Sequence, residues 1–253
     1  MGPGEWHDAA ARLTERGHEV LLDRGLTYDR GVVAAAGTQL ARLRDAAFWA
    51  AHSVEHVDLA VGFEVGAGPA AAMVADGRAT AAVLLDPDLT AFAMAHPDDL
   101  DVLAPKSAFE LALETSERLR PFEDNLRRGP VTREMVDIVC GAFTGEPWRA
   151  RQADLVAPFL VSGVVVDRAL RPTEADLQAA DWTSAAVAGP VTVWLSAGSE
   201  PIAEALRTRG VDATVTPWGQ APWLQSVEEL VAALEGELRL RHARAPSPGR
   251  LRR

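Results

Sequence analysis

The sequence predicts an α/β protein, a mostly parallel sheet with helices on both faces and a helical insertion. Three observations carry this. Short apolar runs suited to buried strands alternate with stretches of helical periodicity near both ends of the chain. The order strand, helix, strand points to parallel pairing with helices covering both faces. Between residues 90 and 182 the pattern changes to amphipathic helical pieces, broken by Pro97, Pro105, Pro121, Pro130 and Pro147.

The elements follow in order. Residues 6–16 place Trp6, Ala9, Ala10 and Leu13 on one helical face, and Gly17 supplies a left-handed stop. HEVLLD at 18–23 reads as a short buried strand. Residues 27–30 are turn-like, and the alanine-rich stretch 31–54 reads as one long helix with Leu40, Leu43, Ala47 and Ala50 in register. VDLAV at 57–61 is a second strand, 66–75 a helix of small residues, and TAAVLL at 80–85 a third strand. FLVSGVVV at 159–166 is ambiguous. PVTVWL at 190–195 is a strand, 201–209 a helix, 211–217 a strand and 227–240 a closing helix. The core therefore comprises residues 1–89 and 183–240, with an insertion at 90–182 and a basic, mobile tail at 241–253.

Composition bounds the function. The chain has 253 residues, 48% hydrophobic, with a formal net charge of −11, so a core is available and a general nucleic-acid binder is disfavoured. Lys106 is the sole lysine. No run is long enough for a membrane span and no signal peptide is expected, so the protein is expected to be cytoplasmic. Cys140 is the single cysteine, which excludes an internal disulfide and a cysteine-based zinc cluster. It lies in VDIVCGAF and reads as buried and inert.

The most informative segment is VDLAVGFEVGAGPAAA, from residue 57. A strand runs into Gly62-Phe63-Glu64-Val65-Gly66 and then into a helix. This is the layout of the G-x-S-x-G turn, in which flanking glycines let the backbone fold sharply and hold the middle residue strained and exposed. It resembles the nucleophile elbow of the α/β-hydrolase superfamily. Trp6 with the following RGHEV resembles that family's first helix and next strand. Residues 191–201 resemble the segment that carries its catalytic acid, and WGQAPWLQSVEEL, from 218, its histidine loop and last helix. The likeness spans nearly the whole chain except the tail. It implies a helical cap at 90–182 and a shortened first core strand.

The resemblance also implies a degenerate triad. Glu64 stands at the nucleophile position, Gln220 at the histidine position, and Ser199, with Glu200 beside it, at the acid position. Asp86 is a spare acid candidate, since some hydrolases of this fold take their acid after the third strand; otherwise Asp86 and Asp88 are turn residues around Pro87. The oxyanion-type backbone donors fall at Val65 and, in the shortened N-terminal loop, at Gly2 and Gly4. Phe63, Trp218 and Trp223 would line the pocket, the two tryptophans flanking Gln220 so that a flat apolar ligand could stack.

Chemistry narrows what such a site does. An amide has no useful basicity, so Gln220 cannot serve a serine-type mechanism. A carboxylate nucleophile is conceivable, but without histidine to activate water its ester should accumulate. Glu64 can instead act as general base or acid in an elimination, isomerisation or cyclisation, with Gln220 orienting a carbonyl. The plainer reading is that Glu64 bonds the old oxyanion amides and plugs the site.

Other candidates read more blandly. His7 is a surface helix residue or a neighbour of the N-terminal loop. His52 and His56 have a spacing compatible with a metal pair, yet lack a third ligand, and a histidine in a helix's last turn is the better reading. His96 is a loop residue. Trp148, Trp182 and Trp194 are core or pocket wall. No metal and no cofactor are expected.

Three functions compete. One is a repurposed, non-hydrolytic enzyme for a small apolar carbonyl compound, in secondary metabolism by analogy. Another is an inactive pseudo-hydrolase that binds or partners. The last is a hydrolase with Glu64 as nucleophile. A shortened first strand would expose a sheet edge, so a homodimer is expected.

Overall fold

The computed structural model describes residues 6–22, 36–64, 66–87, 89, 181–219, 222 and 226–244. The expected cap, apart from its last residues Asp181 and Trp182, lies outside them, with His96, Cys140 and Trp148, as do Gly2, Gly4, Val65, Gln220 and Trp223. Among the described residues four strands form one parallel sheet. They are β1 (Val57–Glu64), β2 (Ala79–Pro87), β3 (Val191–Leu195) and β4 (Asp212–Val215), neighbouring in that order. The rungs Val61↔Val83, Leu84↔Val193 and Val193↔Ala213 set the register.

Alternation along the strands divides the core into two layers. Ala60, Leu84, Val193 and Ala213 face one side. Covering them are α2 (Ala36–Leu43), α3 (Ala46–Ala51), α4 (Ala67–Ala75), α5 (Thr183–Ala188) and α6 (Glu200–Arg207), through Leu43, Trp49, Ala71, Ala186 and Leu206. Val83 and Leu85 face the other side. There α1 (His7–Glu15) contributes Ala9, and α7 (Val227–Arg244) contributes Leu230, Val231 and Leu234. The chain is thus an α/β protein with helices on both faces of a parallel sheet, as the strand–helix alternation predicts. Trp182, assigned from sequence to the end of the insertion, is 1% exposed and belongs to the first of these layers.

Three expectations are corrected. Residues 18–22 form no strand. The chain leaves α1 through a Schellman turn at Gly17 (φ 90°), with His18 N–H on the Leu13 carbonyl at 3.0 Å, and Leu21 packs on the core without pairing. A short apolar run signals burial, and burial needs no ladder.

The long helix at 31–54 is two helices within its described part. Asp45 breaks it by accepting the Ala47 N–H at 2.8 Å, an N-cap bond that restarts the helix as α3. Finally, the closing helix continues past Leu240 to Arg244, so residues 241–244 are not tail.

That last turn is held by charge. Arg241 Nε donates to Glu237 Oε1 at 2.6 Å, and its Nη2 donates to the Thr192 hydroxyl at 2.8 Å. The Thr192 hydroxyl lies 3.3 Å from both Glu237 Oε1 and Asp212 Oδ2. Thr192 and Glu237 are buried polar residues, so each would carry a desolvation cost if left unpaired. The pairing of Glu237 with Arg241, four residues on, removes it and pins α7 to β3. Arg241→Ala is expected to destabilise the fold by about 2–4 kcal/mol by stranding the Glu237 carboxylate. Urea unfolding followed by circular dichroism checks this, and Arg241→Lys should recover part of the loss.

Candidate functional site at the carboxyl edge of the sheet

In a parallel α/β sheet the carboxyl ends of the strands open onto the loops, where ligands bind. Glu64 ends β1 and Asp86 sits at the end of β2. Ser196 follows β3, and Trp218 follows β4.

The turn between β1 and α4 is tight. A Cβ on Gly62 would lie 2.3 Å from the Gly66 carbonyl oxygen and 2.8 Å from both Ala67 Cα and Ala70 Cβ. Only glycine fits there. Gly66 is nearly as confined, since a Cβ on it would meet the Phe63 carbonyl oxygen at 3.0 Å. The Gly66 N–H donates to that carbonyl at 2.8 Å and closes the turn. The residue between is forced into the left-handed region: Glu64 has φ 46°. For a residue with a side chain this costs about 1–2 kcal/mol. Glu64 is also exposed. Strain and exposure of the middle residue, expected from the motif, are both present.

Asp86 is the second strained position, with φ 38°. The ladder slips beside it: Phe63 pairs with Leu85, but Glu64 pairs with Pro87. The extra residue is Asp86, a bulge that re-aims its side chain. Its Oδ1 accepts the Ser196 N–H at 2.7 Å, tying the ends of β2 and β3 together. Burial pushes the Asp86 carboxyl from 3.8 up to about 6, and the bonds from the Ser196 N–H and hydroxyl only partly oppose it.

The remaining candidates separate. Phe63 and Trp218 both pack against the α1–α7 core layer, where Trp218 meets Trp194 edge-on at 5.8 Å. The Trp218 indole N–H is buried and has no acceptor among the described residues. The Trp218 carbonyl accepts the Ala197 N–H at 2.7 Å. Ser199 precedes α6 and makes no side-chain cap bond, while Glu200 opens that helix and is exposed. Neither is joined to Glu64 by a described contact.

His52 donates to or accepts from nothing metal-like: its Nδ1 lies 2.7 Å from the Phe48 carbonyl at the end of α3, so it donates there as a C-terminal histidine. His56 Nε2 lies 3.5 Å from the Thr80 hydroxyl instead. His7 is exposed on α1. Among the described residues no group of three metal-ligating side chains gathers. No described helix is long and apolar enough to cross a membrane. Ser196 is the residue the sequence reading missed, because its bonds to Asp86, from the backbone N–H and the hydroxyl, join two strands far apart in the chain and follow no local motif.

Two predictions follow from this edge. Glu64→Gly is expected to raise stability by about 1 kcal/mol by relieving the left-handed backbone, whereas Gly62→Ala should lower it by about 1–3 kcal/mol through the clash with α4. Urea midpoints of the two variants check the pair. The Asp86 shift also has a sign. Because the fold holds the Asp86 proton more tightly than the unfolded chain does, its contribution is full below pH 3.8 and falls as pH rises to about 6, then stays flat. The loss amounts to about 3 kcal/mol. Asp86→Asn keeps an acceptor for Ser196 and removes the charge, so its stability relative to wild type should climb by that amount between pH 4 and pH 7 in urea titrations.

Comparison with protein-family models finds no match to this chain, and comparison with curated proteins finds none either.

Proposed function

We propose that this chain is a cytoplasmic, non-hydrolytic enzyme of the α/β-hydrolase fold, with a helical cap, in which Glu64 is the general base. The observation that carries the reading is Glu64 itself. It is exposed and left-handed, held at a strand-to-helix turn where Gly62 admits no side chain. A strained backbone of this kind persists only where the surroundings over-determine it, and such strain clusters at functional sites. The substrate is a small apolar carbonyl compound, for which Phe63 and Trp218 supply apolar surface near the same edge. The reaction is an elimination, isomerisation or cyclisation, since Gln220 offers hydrogen bonds but no base for water.

Glu64 takes a proton from carbon next to the carbonyl, and the electron pair moves to the carbonyl oxygen as the enolate forms. Return of the proton to another carbon completes an isomerisation with no co-reactant.

Ring opening of nitrobenzisoxazole tests this, because that reaction needs only a base positioned beside a flat apolar substrate. The full chain should accelerate it about 10²-fold or more over buffer, and Glu64→Gln should remove the acceleration. Equal rates in Glu64→Gln would overturn the reading. A stable mass increase on Glu64 after exposure to ester or epoxide substrates would instead establish a carboxylate nucleophile. Metabolite capture with mass spectrometry then identifies the natural ligand.

A further inference from the structure

The carboxyl edge of the sheet holds two carboxylates on adjacent strands in unlike surroundings. Glu64 is exposed at the end of β1. One strand over, the bulge at the Phe63/Glu64 step turns out Asp86, which is partly buried and carries its own left-handed backbone. Among the described residues three non-glycine positions have positive φ, and two of them are these carboxylates. The other, Ser53, lies just past the C-terminal end of α3.

Resting on the proposed function, we infer that Asp86 is the general acid of the same site, donating a proton to the substrate oxygen while Glu64 removes one from carbon.

The geometry suits the role. Asp86 Oδ1 is fixed by the Ser196 N–H at 2.7 Å, so the carboxyl is oriented from β3 and not left to rotate. Its surroundings favour the neutral acid, chiefly by burial. Two carboxyl groups whose environments push them apart can divide the acid and base tasks. The charges near Asp86 do not interfere. Glu64 approaches from β1, α4 carries no titratable residue, and α6 brings only the exposed Glu200 in its first turn. From α7, Glu228 is already paired with Arg12 and Arg16. Among the described residues, the influences on the Asp86 carboxyl are burial and the bonds from Ser196.

The chemistry balances. Glu64 takes the carbon-bound proton. The electron pair forms the new π bond; in an elimination the bond to oxygen breaks and the oxygen leaves carrying the Asp86 proton, and in an enolisation the oxygen stays on carbon and takes the Asp86 proton to give the enol. Water then returns a proton from Glu64 to Asp86. This narrows the substrate class to compounds whose departing or developing oxygen is a poor anion, such as an enol, alkoxide or hydroxyl. A good leaving group would not need the acid.

Leaving-group dependence provides the test. Unsubstituted benzisoxazole releases a poorly stabilised phenolate, and nitrobenzisoxazole a well stabilised one. Asp86→Asn should slow the unsubstituted probe at least about tenfold while changing the nitro probe far less. The wild-type rate on the unsubstituted probe should fall as pH rises through about 6, and Asp86→Asn should abolish that fall. Ser196→Ala removes the hydroxyl bond that favours the Asp86 anion, so the fall should move to higher pH. Equal loss on both probes, or no loss on either, would overturn the assignment of Asp86 while leaving Glu64 in place. No acceleration in the wild type, or none lost in Glu64→Gln, would overturn the proposed function and this inference with it.

Discussion

The approach of β1 to α4 at Gly62 is the constraint on which the site depends. A backbone oxygen occupies the space where any other residue would carry its Cβ. That contact lets α4 begin within three residues of the strand's end and lie flat on the sheet. The helix answers with the smallest side chains available: Ala67, Gly68, Ala70 and Ala71 are all buried. A helix so poor in bulk gains little from large apolar contacts, and its stability comes from proximity, through many short contacts between closely packed atoms. The same proximity leaves no room for a gradual turn, so the strain falls on Glu64. Backbone strain and a close-packed helix are thus two consequences of one glycine.

The sheet's two ends divide the polar cost differently. Toward the amino ends of the strands, Thr192, Glu237 and Arg241 satisfy one another, and the network holds the last turn of α7 against β3. At the carboxyl edge the groups are satisfied less fully. Among the described residues Asp86 receives bonds from Ser196 alone, and it is driven toward its neutral form; the Trp218 indole N–H has no acceptor there, and two carboxyl residues hold left-handed backbones. A chain optimised only for stability would relieve such costs with glycine, asparagine or an apolar side chain, so their gathering at one edge supports the proposal that this edge is the functional one.

Much of the layout was legible because apolar periodicity reports burial directly. The runs at 57–61, 80–85 and 190–195 correspond to β1, β2 and β3, and the glycine spacing around Glu64 marks the tight strand-to-helix turn. What failed to read did so for physical reasons. HEVLLD looked like a strand because Leu21 is needed by the core, and a single buried side chain does not distinguish a ladder from an extended crossing. The helix break at Asp45 turned on one cap bond within an alanine-rich stretch, where periodicity continues on both sides. The helical residues past Leu240 were hidden by their charge, although Glu237 and Arg241 stand at the helical i, i+4 spacing that would have suggested a pair. Asp86 was visible as a candidate, but its bulge and its bond to Ser196 are tertiary facts with no local signature.

A glutamate at such a strand-to-helix turn differs from a serine there in more than its nucleophilic atom. A serine must lose its proton to a partner before it reacts, so the hydroxyl is useless without a base. A carboxylate arrives already able to accept a proton, so the same backbone turn can support proton transfer with no histidine at all. What such a site then lacks is a donor, because a base alone leaves the developing negative charge on oxygen unquenched. A side-chain amide can soften that charge by hydrogen bonding but cannot discharge it. The donor must be a group that holds its proton more tightly than an ordinary carboxyl does, which requires shelter from water. At this edge the sheltered carboxyl is Asp86, displaced by the ladder slip, so in the proposed reaction the bulge would serve acid chemistry as the turn at Gly62 would serve the base.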